Sequence, residues 1–241
     1  MRSGLTDARR QPWLVSHGFV FLVNMTREIT ALRFQKHNKD RANVYLDGEF
    51  AFGLAGVEAA RLHVGQTLTD EEIVELQMKD EVERAYERAL NYLSYRPRSK
   101  DEVRRNLREK DMEGAVIDAV IGRLMRAGLL DDREFARYWV DNRARFNPRG
   151  LRGLRHELRQ KGISRDIIDD VLTTFDVAAA AEKVADAGAR RLSREEPRDF
   201  RRKLKAYMAR RGFSYGVIKP LVQEKLEQRR REEERAREDN E

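Results

Sequence analysis

The chain has 241 residues, 38% of them charged, and a formal net charge of +7 with a pI of about 9.7. Ordinary domains hold about 25% charged residues, so the excess fits thin helical units with much surface better than one thick globule, and the positive balance fits an anionic partner. Cysteine is absent, which excludes disulfides, thiolate metal sites and a cysteine nucleophile.

Residues 1–24 show no period and read as an irregular or disordered tail. The apolar run Gly18-Phe19-Val20-Phe21-Leu22-Val23 is too short to span a bilayer and no small-residue cleavage pattern follows it, so a cytoplasmic protein is expected. Patterned sequence begins at Met25, either as the true initiator or as the end of an ordinary tail. Residues 25–68 predict a small β-hairpin-containing region with strands over 29–35, 43–46 and 49–53. Asp47-Gly48 is the two-residue turn favoured in hairpins and sets Tyr45 opposite Phe50. A helix over 55–63, ended by Gly65, is expected to cover the strands.

From here the pattern is helical. Thr69-x2-Glu72 is a capping box with Leu68 and Ile73 as its staple, predicting a long helix from near Asp70 to Tyr95, stopped by Pro97. Ser99-x2-Glu102 caps a second helix, and a third is predicted over 113–126. Gly128 suits a helix C′ position, and Asp131-x2-Glu134, with Leu130 and Phe135 as staple, starts the next helix. Pro148 opens another at its N1 position, and a closing helix covers 164–175. A third group runs over 177–226, where Pro220 is expected to break a ladder bond, and residues 227–241 form a mixed-charge tail that extends or frays the last helix.

These helices repeat. Val103-x3-Leu107-x2-Lys110-x-Met112 returns as Leu154-x3-Leu158-x2-Lys161-x-Ile163 and as Leu204-x3-Met208-x2-Arg211-x-Phe213, at offsets of 51 and 50. Val116, Ile117 and Val120 return as Ile167, Ile168 and Val171, then as Val217, Ile218 and Leu221. Such a period marks a helical module copied in tandem. The expected fold is mainly α, a tandem array of three three-helix modules (69–130 with its lead-in helix, 131–176, 177–226) after a small N-terminal α+β region with a β-hairpin.

Arg96-Pro97-Arg98-Ser99, Glu102-Val103-x3-Leu107, Gly128-Leu129-Leu130-Asp131-Asp132-x2-Phe135-Ala136-x2-Trp139-Val140 and Gly150-x3-Leu154-x2-Glu157-Leu158-x2-Lys161-Gly162-Ile163 resemble, in order, the RecX family of bacterial regulators of the RecA recombinase. The resemblance covers roughly residues 80–225. It implies a protein that binds the RecA–DNA filament and restrains RecA in repair and recombination; a monomer without enzymatic activity is expected.

The residues agree with the absence of catalysis. His17, His37, His63 and His156 are scattered, and no phosphate loop, nucleophile elbow or metal-ligand spacing is present, so neither cofactor nor metal is expected. The charge is uneven instead: residues 25–80 are net −3, whereas 143–161 hold seven basic residues against Glu157, a net of +6. Candidate contacts for a partner protein or DNA phosphate are Arg143, Arg145, Arg149, Arg152, Arg155, Arg159 and Lys161 in the second module, with Arg98, Arg104, Arg105 and Arg108 in the first. Arg152, Arg155 and Arg159 share one helical stripe beside the inward Leu151, Leu154 and Leu158. The bland alternative is a solvated helix face. A DNA-binding protein of helix-turn-helix-like units, without RecA, is the competing function. Against specific readout, the last helix of the second module carries Asp166, Asp169 and Asp170 where a major-groove reader needs donors.

Overall fold

The computed structural model describes residues 26–36 and 38–238. The expectations for residues 1–24 and Met25, and for the last three residues of the charged tail, lie outside them. The chain forms two compact units that divide between Gln77 and Met78.

In the N-terminal unit, β1 (Thr26–Phe34), β2 (Arg41–Leu46), β3 (Glu49–Ala55) and β4 (Thr67–Thr69) make an antiparallel sheet in the order β3-β2-β1-β4. Ala42, Val44 and Leu46 alternate inward along β2 and share a core with Ile29, Leu54 and Leu68. Asp47 and Gly48 both take positive φ, +52° and +89°, as the short hairpin turn requires, and Tyr45 meets Phe50 edge-on with ring centroids 6.0 Å apart. Two expectations change. The helix over 55–63 is a single turn, α1 (Gly56–Ala59), and the chain after it feeds β4, a three-residue strand too short to show alternation. Thr69 therefore ends a strand and caps a helix at once. Its hydroxyl accepts from Glu72 N at 3.2 Å, and Glu72 accepts in return from Thr69 N at 2.8 Å.

α2 (Asp70–Ser94) places Ile73 in the sheet's core and Ala85 and Ala89 in that of the first helical module. That module is completed by α3 (Lys100–Arg108) and α4 (Gly114–Arg126). The second holds α5 (Asp132–Phe146), α6 (Leu151–Gln160) and α7 (Arg165–Thr173), and the third α8 (Val177–Arg191), α9 (Pro197–Arg210) and α10 (Tyr215–Glu238). Each has its own apolar core, and the repeat positions Leu107, Leu158 and Met208 are all fully buried. The turn between second and third helices repeats too. Met112 N, Ile163 N and Phe213 N donate back to the carbonyls of Leu107, Leu158 and Met208, around a residue with positive φ: Asp111, Gly162 and Gly212.

Gly128 takes positive φ as expected, and Asp131 caps α5 by accepting from Arg133 N and Glu134 N, although Glu134 returns no bond. Leu130 and Phe135 do not share a core: Leu130 is buried in the first module and Phe135 in the second, so the pair bounds two modules. α10 continues through Pro220 to Glu238. Arg229 anchors its charged part, with its guanidinium 5.5 Å from the Phe200 ring and Nη1 donating to Glu195 O at 2.5 Å.

Successive modules meet in one repeated way: the start of α3 meets the α6–α7 turn, and the start of α6 meets the α9–α10 turn. At the first joint Ser99 Oγ donates to Lys161 O at 2.6 Å; at the second, Gly150 N donates to Arg211 O at 2.9 Å. Ser99 and Gly150 are repeat equivalents, as are Lys161 and Arg211. In the third module the position matching Ser99 and Gly150 is Phe200, buried inside an α9 that begins three residues earlier, so no N-cap stands there for a further module.

Candidate functional site

α3 and α6 are amphipathic. Leucines at Leu107, Leu154 and Leu158, with Val103, go inward and leave the basic residues on the remaining faces. The structure sorts those basic residues by partner. Arg104 pairs with Asp118 at 2.6 Å, and its equivalent Arg155 with Asp169 at 3.4 Å. Arg105 reaches Asp101 at 2.9 Å and donates to Gln160 O across the first joint. Arg98 stacks on Tyr92 with 3.9 Å from guanidinium carbon to ring centroid.

Arg143 and Arg149 converge on Glu157 at 2.7 and 3.3 Å, and Trp139 Nε1 donates to the same carboxylate at 2.9 Å. Lys161 lies 4.9 Å from the Trp139 ring and 2.5 Å from Glu102. Six of these seven side chains pair with acids of the modules, and Arg98 is held on the Tyr92 ring of its own module. Arg108, Arg145, Arg152 and Arg159 remain exposed, with no carboxylate partner among the described residues. Arg108 and Arg159 occupy the same repeat position.

Glu102 is the electrostatic centre of the first joint. Only 7% of its side chain is exposed, and burial alone would raise its pKa, but hydrogen bonds from Arg96 and Lys161, the Lys161 charge and the Ser99 N–H outweigh that and hold it at about 2. Lys100 N donates to Asp132 Oδ1 at 2.8 Å, so the first residue of the second module's α5 caps the first module's α3. Burial raises the Asp132 pKa in spite of that bond, while the neighbouring Asp131 is lowered by the amides of Glu134 and Arg133.

Among the described residues no cluster of His, Asp or Glu is arranged to hold a metal ion, and no helix is long and apolar enough to cross a membrane. What the surface offers is fixed positive charge on a repeated scaffold.

Family models match the chain in order. The regulatory protein RecX N-terminal domain spans residues 27–69, and the first, second and third three-helix domains of RecX span 85–124, 131–172 and 176–222. The chain belongs to the RecX family. The regulatory protein RecX of Bacillus licheniformis is 33% identical over 201 residues, covering 81% of this chain and 76% of the relative. That of Bacillus subtilis is 34% identical over 195 residues, with 79% and 74% covered. A crystal structure of regulatory protein RecX matches with a TM-score of 0.66 at 32% identity, over 81% of this chain and 98% of that one. RecX from Lactobacillus salivarius matches with 0.54 at 30%, over 61% and 97%. These relatives carry the name of regulatory proteins, and the RecX modules coincide with the helical repeat described above.

Sequence reasoning missed two features. The acids that neutralise Arg104 and Arg155 stand 14 residues downstream on the following helix, a spacing that no single-helix wheel displays. The third module's basic surface was also missed, although residues 200–223 hold seven Lys or Arg and no acid.

Proposed function

We propose that this RecX-family chain binds the RecA–DNA filament and inhibits RecA recombinase activity, acting as a monomer in the cytoplasm and without a cofactor. The observation that carries the reading is the set of exposed, unpaired arginines Arg108, Arg145, Arg152 and Arg159 on successive modules, with Arg108 and Arg159 in register. A filament presents the same surface repeatedly, and a tandem scaffold that repeats a charge suits a partner that repeats its own. Arg98, Arg104, Arg105, Arg143, Arg149, Arg155 and Lys161 serve this reading indirectly, by fixing the helices that carry the unpaired four.

The competing function, DNA binding by helix-turn-helix-like modules without a RecA partner, finds little support for base readout in α7. Asp169 and Asp170 are half-exposed there and engage Arg155 and Arg133 of their own module, leaving carboxylates where base-reading donors are needed. Co-sedimentation with RecA filaments on single-stranded DNA tests the choice, with the same DNA free of RecA as control. Pelleting well above the control is expected; equal pelleting with and without RecA would favour the competing function.

A further inference from the structure

The third module departs from the other two at one place, and the departure concerns charge. Arg104 and Asp118 form an ion pair between α3 and α4, and Arg155 and Asp169 form its equivalent between α6 and α7. The corresponding residues between α9 and α10 are Lys205 and Lys219. Two like charges thus stand where the sibling modules hold opposite ones at 2.6 and 3.4 Å. No carboxylate pairs with Lys205 or Lys219 among the described residues.

The surroundings do not supply the missing negative charge. Three equivalent stretches of 24 residues differ steadily: 99–122 has five basic and six acidic residues, 150–173 five and four, and 200–223 seven and none. Arg201, one turn before Lys205, is exposed and has no ion-pair partner among the described residues, whereas Arg202 is partnered by Asp199 at 3.1 Å. On the first turn of α10 Tyr215 is 65% exposed, with Lys205 Nζ 6.0 Å from its ring centroid. The second module has Arg165 in that place.

We infer that the α9–α10 face of the third module, built on Lys205, Lys219, Arg201 and Tyr215, binds single-stranded nucleic acid. Phosphate oxygens supply the anion that Asp118 and Asp169 supply in the other modules, relieving the repulsion between the two lysines. An exposed aromatic ring beside these cations gives an unpaired base a surface to stack on, independent of sequence. Duplex DNA would use the charges and leave the ring idle. This goes beyond the proposed function, which rests on the first two modules and on a protein partner, and it is tested without RecA.

The experiment is fluorescence anisotropy of the full chain with a labelled oligo(dT), and with a duplex of mixed sequence, across a salt series. Lys219→Asp copies the acid found at this position in the first two modules, so circular dichroism and melting should be unchanged. Its affinity for oligo(dT) should fall at least about tenfold, with the log–log salt slope flattened by about 0.7 for each phosphate that is no longer neutralised. Lys219→Gln, which removes the charge without reversing it, should lose less. Tyr215→Ala should weaken oligo(dT) by about tenfold and leave duplex binding as it was. Unchanged oligo(dT) affinity in folded Lys219→Asp would overturn the inference. So would equal losses of oligo(dT) and duplex binding in Tyr215→Ala.

Discussion

The two joints between modules make the same contact with different chemistry. At the first, side chains bridge the modules: Ser99 reaches Lys161 O, Glu102 holds Arg96 at 2.9 Å and Lys161 at 2.5 Å, and Asp132 caps α3. At the second, backbone meets backbone. Gly150 N and Arg152 N donate to the carbonyls of Arg211 and Gly212 at 2.9 and 3.3 Å. A Cβ on Gly150 would lie 2.4 Å from Gly212 O, and one on Gly212 would lie 2.2 Å from Gly153 N.

A joint built on a buried carboxylate depends on its charges being matched, because removing one partner strands the others. A joint built on glycines depends on volume, because close-packed backbone has nowhere to move. One repeat geometry can therefore be sensitive to pH in one place and to a single methyl group in another. The first joint also has its glycine, Gly162, whose added Cβ would lie 2.3 Å from Asp101 Cβ, but there the neighbour is a side chain.

This contrast can be broken most forcefully at Gly212. Its φ is +85° and its Cβ site is occupied by backbone, so Gly212→Ala should cost roughly 3–4 kcal/mol in urea unfolding, from overpacking plus left-handed strain. Gly150, with φ of −77°, lacks the second component and Gly150→Ala should cost less. A loss below about 1 kcal/mol for Gly212→Ala would mean that the modules slide apart without penalty.

Next in size is Glu102→Ala. Arg96 and Lys161 are 32% and 24% exposed and regain some water, so about 2–3 kcal/mol is expected, toward the lower end for a broken buried pair. Acid sharpens the same point. The Glu102 pKa is depressed from 4.5 to about 2, so its stabilisation is complete above the unfolded value and disappears as pH falls through the folded one. The stability gap between the wild type and Glu102→Gln should accordingly be constant near neutrality and shrink between pH 4.5 and about 2. A gap that widened on acidification would contradict the assignment. The smallest effect is expected at Asp111, which takes φ of +58° where the other modules have glycine; Asp111→Gly should stabilise by about 0.5 kcal/mol, read as a small rise in melting temperature.

Repetition made most of the helical architecture legible. Leu107, Leu158 and Met208 had to be equivalent because their neighbours recur at the same offsets, and their burial follows. Turns were legible where one residue type dominates, as at Asp47-Gly48 and Gly128. β4 was not, since three residues carry no period, and α1 shrank to one turn because the chain must return to pair Thr67–Thr69 with Thr26–Glu28.

The candidate site was legible only as composition. Helical spacing placed Arg152, Arg155 and Arg159 on one stripe, but whether each is available depends on acids of another helix: Asp169 takes Arg155, whereas Arg152 and Arg159 meet none among the described residues. Arg143 and Lys161 fall to Glu157 and Glu102 by the same tertiary route, across 14 and 59 residues of chain.

The central claim is that the unpaired arginines meet the filament while the paired ones hold the scaffold. Replacing Arg145, Arg152 and Arg159 together with Gln, and measuring RecA-driven ATP hydrolysis on single-stranded DNA, tests it most directly. Exposed charges contribute less than about 1 kcal/mol each to folding, so the variant should keep its circular dichroism and melting temperature. We expect its half-inhibiting concentration to rise at least about tenfold at low salt, with a weaker dependence on ionic strength. A folded triple variant that inhibits as well as the wild type would contradict the claim and return these arginines to a solvated helix face.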